Sequence, residues 1–325
     1  MRILKRAGQV LAVFLLLAVA AVVVEFYVLN PKSAPAKTLA AKTDPDTIKR
    51  GEYLARHVYV CTGCHSPVHD ELPGEPLYED KIGIGRDFGE LPGFPGHIRA
   101  KNITGDKSAG IGGWSDGEVV RAMREGVDKN GRALFPMMPY PTYAQVMSDD
   151  DALAVVAYLR TLPASTNDPG PMEISFPVSM FARAAPKPLA SSPPPAPPPG
   201  DPKRGDFLLV ACNCTDCHTT SNERHEPLPG MTMAGGNKFP VGTKGYVYVA
   251  NITSDPETGI GTWTDDEVFE ATKHGISKTK QGRALYGMPW PHYGGMTDDD
   301  VRSLVGALRK VPPVKNAVKP AELKL

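Results

Sequence analysis

At 325 residues, the chain is about twice the usual length of a single domain, so two domains with separate cores are expected. Its 36 basic and 36 acidic residues cancel, which gives no electrostatic footprint for a nucleic-acid binder. Hydrophobic residues at 41% and charged residues at 22% exclude a wholly disordered chain, while 32 glycines and 33 prolines call for short helices among long loops.

Arg2, Lys5 and Arg6 precede an apolar run from Val10 to Leu29 in which Glu25 is the only charge. Twenty residues at about 1.5 Å each span roughly 30 Å, the thickness of a bilayer core. Two readings compete: an uncleaved anchor over residues 1–30, and a signal peptide cut near the small residues Ala18, Val19 and Ala20. The run continues through Val22, Val23, Val24, Phe26 and Val28, where a cleaved signal turns polar, and this favours the anchor. Either way the basic residues hold the N-terminus in the cytoplasm, so residues from Pro31 onward face the periplasm from the inner membrane. Residues 31–45, with a stretch from Ser33 to Thr43 rich in Ala, Lys, Thr and Pro, form a tether.

Beyond it the chain repeats itself at offsets of 149 to 154 residues. Lys49-Arg50-Gly51-Glu52-Tyr53-Leu54 returns as Lys203-Arg204-Gly205-Asp206-Phe207-Leu208, and Cys61-Thr62-Gly63-Cys64-His65 as Cys214-Thr215-Asp216-Cys217-His218. Asn102-Ile103-Thr104, Gly110-Ile111-Gly112 and Trp114 return as Asn251-Ile252-Thr253, Gly259-Ile260-Gly261 and Trp263. Gly131-Arg132-Ala133-Leu134 and Met138-Pro139 return as Gly282-Arg283-Ala284-Leu285 and Met288-Pro289. Two copies of one domain, 46–163 and 201–313, explain this order. Between them lies a proline-rich linker, 164–200, with eight prolines from Pro186 to Pro199. It reads as an extended, semi-stiff spacer. Residues 314–325 form a tail.

Each copy reads as mostly helical. A first helix is expected near Asp46 or Thr47, and near Asp201 in the second copy with Pro202 at its first position. Ser115 to Glu118 and Thr264 to Glu267 fit capping boxes. A last helix starts at Ser148 or Thr297, each followed by three aspartates. Its apolar positions are Ala152, Val155, Val156 and Leu159, or Val301, Leu304, Val305 and Leu308, one face of an amphipathic helix. A β-like run, Gly245 to Ala250, is expected in the second copy only.

CxxCH is the attachment signature of a c-type haem. Cysteines three apart on a helix reach two vinyl groups of one porphyrin, and the adjacent histidine reaches the iron. A zinc site would need two further ligands in each domain, and a thioredoxin-like dithiol would need a βαβ context. Two haems are therefore expected, on Cys61 with Cys64 and on Cys214 with Cys217, ligated by His65 and His218. For the opposite axial position the repeat favours Met138 and Met288, each in a Met-Pro-aromatic-Pro run, with Met137 as a rival to Met138. His57, His69, His97, His225, His274 and His292 have no counterparts between copies and are expected mostly at the surface. Trp114, Trp263, Arg132 and Arg283 either contact haem propionates or pack and pair locally. Cys212 reads as a small apolar residue or free thiol. The Asn-Ile-Thr sequons read as turns rather than glycan acceptors.

In these residues the chain resembles a tandem class I c-type cytochrome, and more narrowly the cytochrome subunits of membrane-bound alcohol and gluconate dehydrogenases. The resemblance covers about residues 46 to 163 and 201 to 313, with Glu173-Ile174-Ser175-Phe176-Pro177 similar to that family's interdomain connection. It implies His/Met-ligated low-spin haems and a first helix crossing the last at Gly51 and Gly205. Those subunits typically carry three haem motifs, where this chain has two. The implied role is not enzymatic: single electrons pass from a dehydrogenase or quinol-oxidising partner to a downstream cytochrome or terminal oxidase. The competing reading is a dihaem cytochrome c peroxidase, which needs one open iron position and acid–base groups beside it. The near symmetry of the two copies favours the carrier.

Overall fold

A computed structural model of the chain describes residues 2–91, 94–222, 226–278 and 285–324. Helix α1 (Arg2–Val23) continues as a wider π turn, Val24–Val28. The most apolar window of the stretch Lys5–Val28 has a mean hydropathy of 2.7, and none of it is buried against the rest of the chain. The stretch is long and apolar enough to cross a membrane, and among the described residues it is alone in this.

From there the molecule is mostly helical, and the same series of elements occurs twice. The first series is α2 (Pro45–Tyr53), α3 (Cys61–His65), β1 (Arg86–Glu90), β2 (Gly96–Ala100), α4 (Asp116–Glu125), α5 (Tyr140–Val146), α6 (Asp149–Leu159) and β3 (Glu173–Ile174). A short helix, α7 (Val178–Ala182), follows it. The second series is α8 (Arg204–Ala211), α9 (Cys214–His218), β4 (Lys238–Val241), β5 (Gly245–Tyr248), α10 (Asp265–His274), α11 (Trp290–Gly294), α12 (Asp298–Leu308) and β6 (Glu322–Leu323). Residues 185–198 between them hold no helix or strand.

Local chemistry explains most helix starts. Ser115 and Thr264 close capping boxes with Glu118 and Glu267, and Ser148 and Thr297 accept from the Asp151 and Asp300 amides. The first early helix starts within a residue of its expected place, and the second starts later. In α2 the cap is Asp44, which accepts from the Thr47 amide at 2.9 Å and leaves Pro45 at the first position. In the second series Asp201 accepts from the Lys203 amide at 2.7 Å, and this turn delays α8 to Arg204, so Pro202 precedes the helix.

The expectation of a strand in the second copy alone is corrected. Both series carry an antiparallel hairpin extended by a third short strand from beyond the last helix, in the orders β1-β2-β3 and β4-β5-β6. Arg86 pairs with Ala100 and Gly96 with Ile174; Lys238 pairs with Tyr248 and Gly245 with Leu323. The first hairpin escapes a sequence reading because RDFGE and GHIRA lack the β-branched alternation visible in GYVYVA.

Within each series the first and last helices cross at a glycine. A Cβ on Gly51 would stand 1.8 Å from the Ala154 carbonyl oxygen, and one on Gly205 would stand 2.0 Å from that of Ser303. Only glycine allows backbones so close. One continuous core runs from Leu54, Tyr59 and Val155 to Leu208, Leu304 and Val305, so the two series pack directly on each other. Polar contacts reinforce this packing. Tyr53 Oη donates to Asp300, His57 Nδ1 donates to the His292 carbonyl at 2.7 Å, and the Thr243 hydroxyl donates to Glu71 at 2.7 Å.

Candidate haem-binding cavity

Both CTGCH and CTDCH form one short helix each, entered through a residue in the left-handed region: Val60 at φ 50° and Asn213 at φ 54°. The matched kink aims both cysteines and the histidine of each helix at the same space. Both helices border one cavity of about 2070 Å³, which is also lined by Trp114, Trp263, Met137, Met138, Met288 and Arg132. The structure thus brings the two motifs together as well as their proposed partners.

Each motif histidine is oriented by its far nitrogen. His65 Nδ1 donates to the Lys101 carbonyl at 2.6 Å, and His218 Nδ1 to that of Ala250 at 2.8 Å. That bond fixes the tautomer and leaves Nε2 as the nitrogen able to bind a metal. Burial pulls both imidazoles below their ordinary pKa, against the carbonyl bond, which keeps them in the neutral, ligating form.

The cysteines are free. Burial, with a smaller push from the neighbouring cysteine, drives the Cys61 and Cys214 thiols up to about 12. Cys217 rises to about 11, first through burial and then through Asp216. Cys64 and Cys217 are open to the cavity rather than to the outer surface, so protein still surrounds them. Protonated thiols make a poor dithiol nucleophile. Among the described residues no three His, Cys, Asp or Glu side chains gather as a metal site. A pair of neutral thiols, an oriented neutral imidazole and a large, mainly apolar cavity fit a covalently held porphyrin at each motif.

Met138 and Met288 occupy matched places, half-buried against the core. Each carbonyl accepts from the amide two residues on at 2.8 Å, Tyr140 in one case and Trp290 in the other. Arg132 stands on the rim, its side chain 74% exposed, with Nε 3.4 Å from Asp128. Arg283 lies outside the described residues, as does His225.

The expectation of surface histidines is corrected at His292, which is buried at the contact between the two series. Half-buried His57 holds its carbonyl, and a Cβ on Gly63 would stand 2.9 Å from its Nε2. Neither His57 nor His292 lines the cavity. His97 pairs with Asp87 at 2.6 Å, and His274 with Glu270 at 2.8 Å. Cys212 is buried, and burial raises its thiol well above the ordinary value.

Two devices behind the cavity wall recur in both series. Asn102 accepts from the Thr104 amide and hydroxyl and donates to the Ser165 carbonyl at 2.6 Å; Asn251 does the same with Thr253 and the Val314 carbonyl. Both asparagines are buried, so the sequons are structural turns. The second device was missed in sequence. Arg160 Nη2 donates to the Trp114 carbonyl and Nη1 to that of Ile111, at 2.6 and 2.7 Å. Arg309 repeats this on Trp263 and Ile260 at 2.6 and 2.8 Å. The signal was the repeated Leu-Arg step at the end of each last helix.

No family model matches the chain. It is 31% identical over 293 residues to the cytochrome c subunit of an alcohol dehydrogenase (quinone) of Gluconacetobacter polyoxogenes, covering 85% of this chain and 58% of that protein. To the fructose dehydrogenase cytochrome subunit of Gluconobacter japonicus it is 29% identical over 299 residues, 87% of this chain and 56% of that one. To the gluconate 2-dehydrogenase cytochrome c subunit of Pantoea cypripedii it is 31% identical over 266 residues, 77% and 54% of the two chains. The chain spans a little over half the length of these relatives. Its homologues, at about 30% identity over most of its own length, are cytochrome c subunits of alcohol, fructose and gluconate dehydrogenases.

Proposed function

We propose that the chain is a dihaem c-type cytochrome: two tandem class I domains, 46–163 and 201–313, held at the periplasmic face of the inner membrane by an uncleaved anchor over residues 1–30. It moves single electrons from a membrane dehydrogenase or quinol-oxidising partner to a downstream cytochrome or terminal oxidase, and performs no bond chemistry of its own. The observation that carries this reading is the duplicated arrangement at His65 and His218, each Nδ1 tied to a backbone carbonyl beside a CxxC pair on the cavity wall.

The bound haem supplies a one-electron iron couple. Cys61 and Cys64 would hold one porphyrin as thioethers, and Cys214 and Cys217 the other. His65 and His218 would give Nε2 to the irons, and Met138 and Met288 would give sulfur. A methionine with a histidine would raise the potential, which suits delivery to a high-potential acceptor. Trp114, Trp263 and Arg132, which line the cavity, would offer donors to propionates, a role the repeat extends to Arg283. The apolar lining keeps water from the iron ligands.

The test is substrate-driven reduction. Tagged full chain is solubilised from its native membranes in mild detergent, and the co-purifying complex is supplied with an alcohol, a sugar or a sugar acid. Reduction of the haem absorbance by one of these, and reoxidation by a soluble cytochrome c, is the expected result. Haem that no such substrate reduces, in a chain that instead turns over hydrogen peroxide, would overturn the carrier reading.

A further inference from the structure

Helix α7 follows the first series and stands beside the end of the N-terminal apolar helix. The Phe181 ring meets that of Phe26 edge-on, with centroids 5.4 Å apart. Arg183 Nε donates to the Phe26 carbonyl at 2.7 Å, and its guanidinium lies 5.0 Å from the centre of the Tyr27 ring. Met180 points inward and is buried, whereas Phe176 is 74% and Phe181 55% exposed, with Val178 beside them. Large aromatic side chains this open on a water-facing surface call for an apolar cover. Ser179 and Ala182 of α7, and Arg183 after it, also border the haem-binding cavity.

Polar side chains mark the end of the span if Lys5–Val28 is the anchor, the reading on which the inference rests. Glu25 is the one charge in the apolar run and meets Asn30 through a side-chain hydrogen bond of 3.1 Å, which sets the last turn in the interfacial layer. Phe26 and Tyr27 belong to that turn, and α7 is fastened to both. Tyr27, Val28 and Leu29 are exposed alongside, so the aromatic patch continues the apolar surface of the helix. Aromatic rings with an arginine among them are the composition of a membrane–water interface.

We propose that Phe176, Val178 and Phe181 form a second membrane contact, seated in the headgroup and upper acyl layer of the lipid bilayer beside the exit of the N-terminal helix. The contact adds a second membrane attachment to that of the N-terminal helix. It holds the α7 wall of the cavity against the bilayer, so the first haem site faces the membrane in one orientation.

Nitroxide labels test this in the full haem-loaded chain, reconstituted in vesicles of phosphatidylcholine with phosphatidylglycerol. Labels go on Phe176→Cys, Phe181→Cys, Leu16→Cys in the anchor and Lys310→Cys on the exposed second series; collision with oxygen and with a water-soluble nickel chelate gives depth. Expected are a deep label at 16, a water-exposed label at 310, and labels at 176 and 181 roughly 5–10 Å into the headgroup and acyl boundary. Labels at 176 and 181 as open to nickel as that at 310, with 16 still deep, would overturn the second contact and leave the anchor standing. A label at 16 open to nickel would overturn both.

Discussion

The Tyr53 hydroxyl donates to Asp300 Oδ2 at 2.6 Å, tying the first helix of one series to the last helix of the other. The same carboxylate accepts from Arg204 Nε and Nη2 at 2.7 and 2.6 Å. Burial pushes the Asp300 carboxyl up, but the bonds from Arg204 and Tyr53 outweigh it and hold it below its ordinary value. Its contribution is thus present above the unfolded carboxyl pKa and is lost as pH falls through the folded one. Asp300→Asn leaves the Arg204 guanidinium buried without its counter-charge and should cost about 3–5 kcal/mol. Tyr53→Phe removes one hydrogen bond between the series and should cost about 1 kcal/mol. Urea unfolding of both variants checks the order; equal losses would show that the arginine pair does not matter.

His292 sets a second pH dependence. Burial lowers its pKa to about 4, against a bond to the Arg56 backbone, while the unfolded ring keeps about 6.5. Between these values the unfolded chain takes up a proton that the folded chain refuses. Stability should therefore fall with pH across that window, by up to about 1.4 kcal/mol per pH unit. Half-buried His57, lowered by burial too, adds in the same direction. Unfolding midpoints measured within and above the window should draw closer in His292→Phe, with the smaller part from His57 left; an unchanged slope would rule the His292 ring out as a source.

The glycines at the two helix crossings should behave unlike their neighbour on α12. Gly51→Ala and Gly205→Ala drive a methyl group onto a backbone carbonyl that cannot yield, and each should lose about 1–3 kcal/mol or more. Gly306→Ala, in the exposed last turn of α12, meets nothing within 4 Å and should gain up to about 0.5–1 kcal/mol. Thermal melts of the three variants separate the cases, and stabilisation at Gly51 or Gly205 would contradict the close crossing.

Methionine ligation has its own signature. The oxidised protein should show the weak far-red band of an iron–thioether bond, reduced in Met138→Ala, reduced in Met288→Ala and absent in the double variant. Met137→Ala should leave it intact. A band that survives in the double variant would assign the axial position to other side chains.

What could be read in the chain was local or repeated. The capping boxes at Ser115 and Thr264 depend on residues three apart, and the CxxCH helices on five, so both copies announce them. Asn102 with Thr104 reads as a turn, but its clasp on the Ser165 carbonyl lies more than sixty residues away. The contact between the series stayed hidden for a different reason. It is made once per chain, so its residues have no copies: Tyr53 corresponds to Phe207, His57 to Ala211, and His292 to Thr142. A search for matched residues passes over them, although their mismatch was itself the signal.

Covalent attachment of two haems is tested most directly by the intact mass of the purified full chain. It predicts a mass raised by two haems, falling by one in Cys61→Ser with Cys64→Ser and by the other in Cys214→Ser with Cys217→Ser. A chain that leaves its native membranes free of haem, or with a single haem indifferent to which pair is changed, would contradict it.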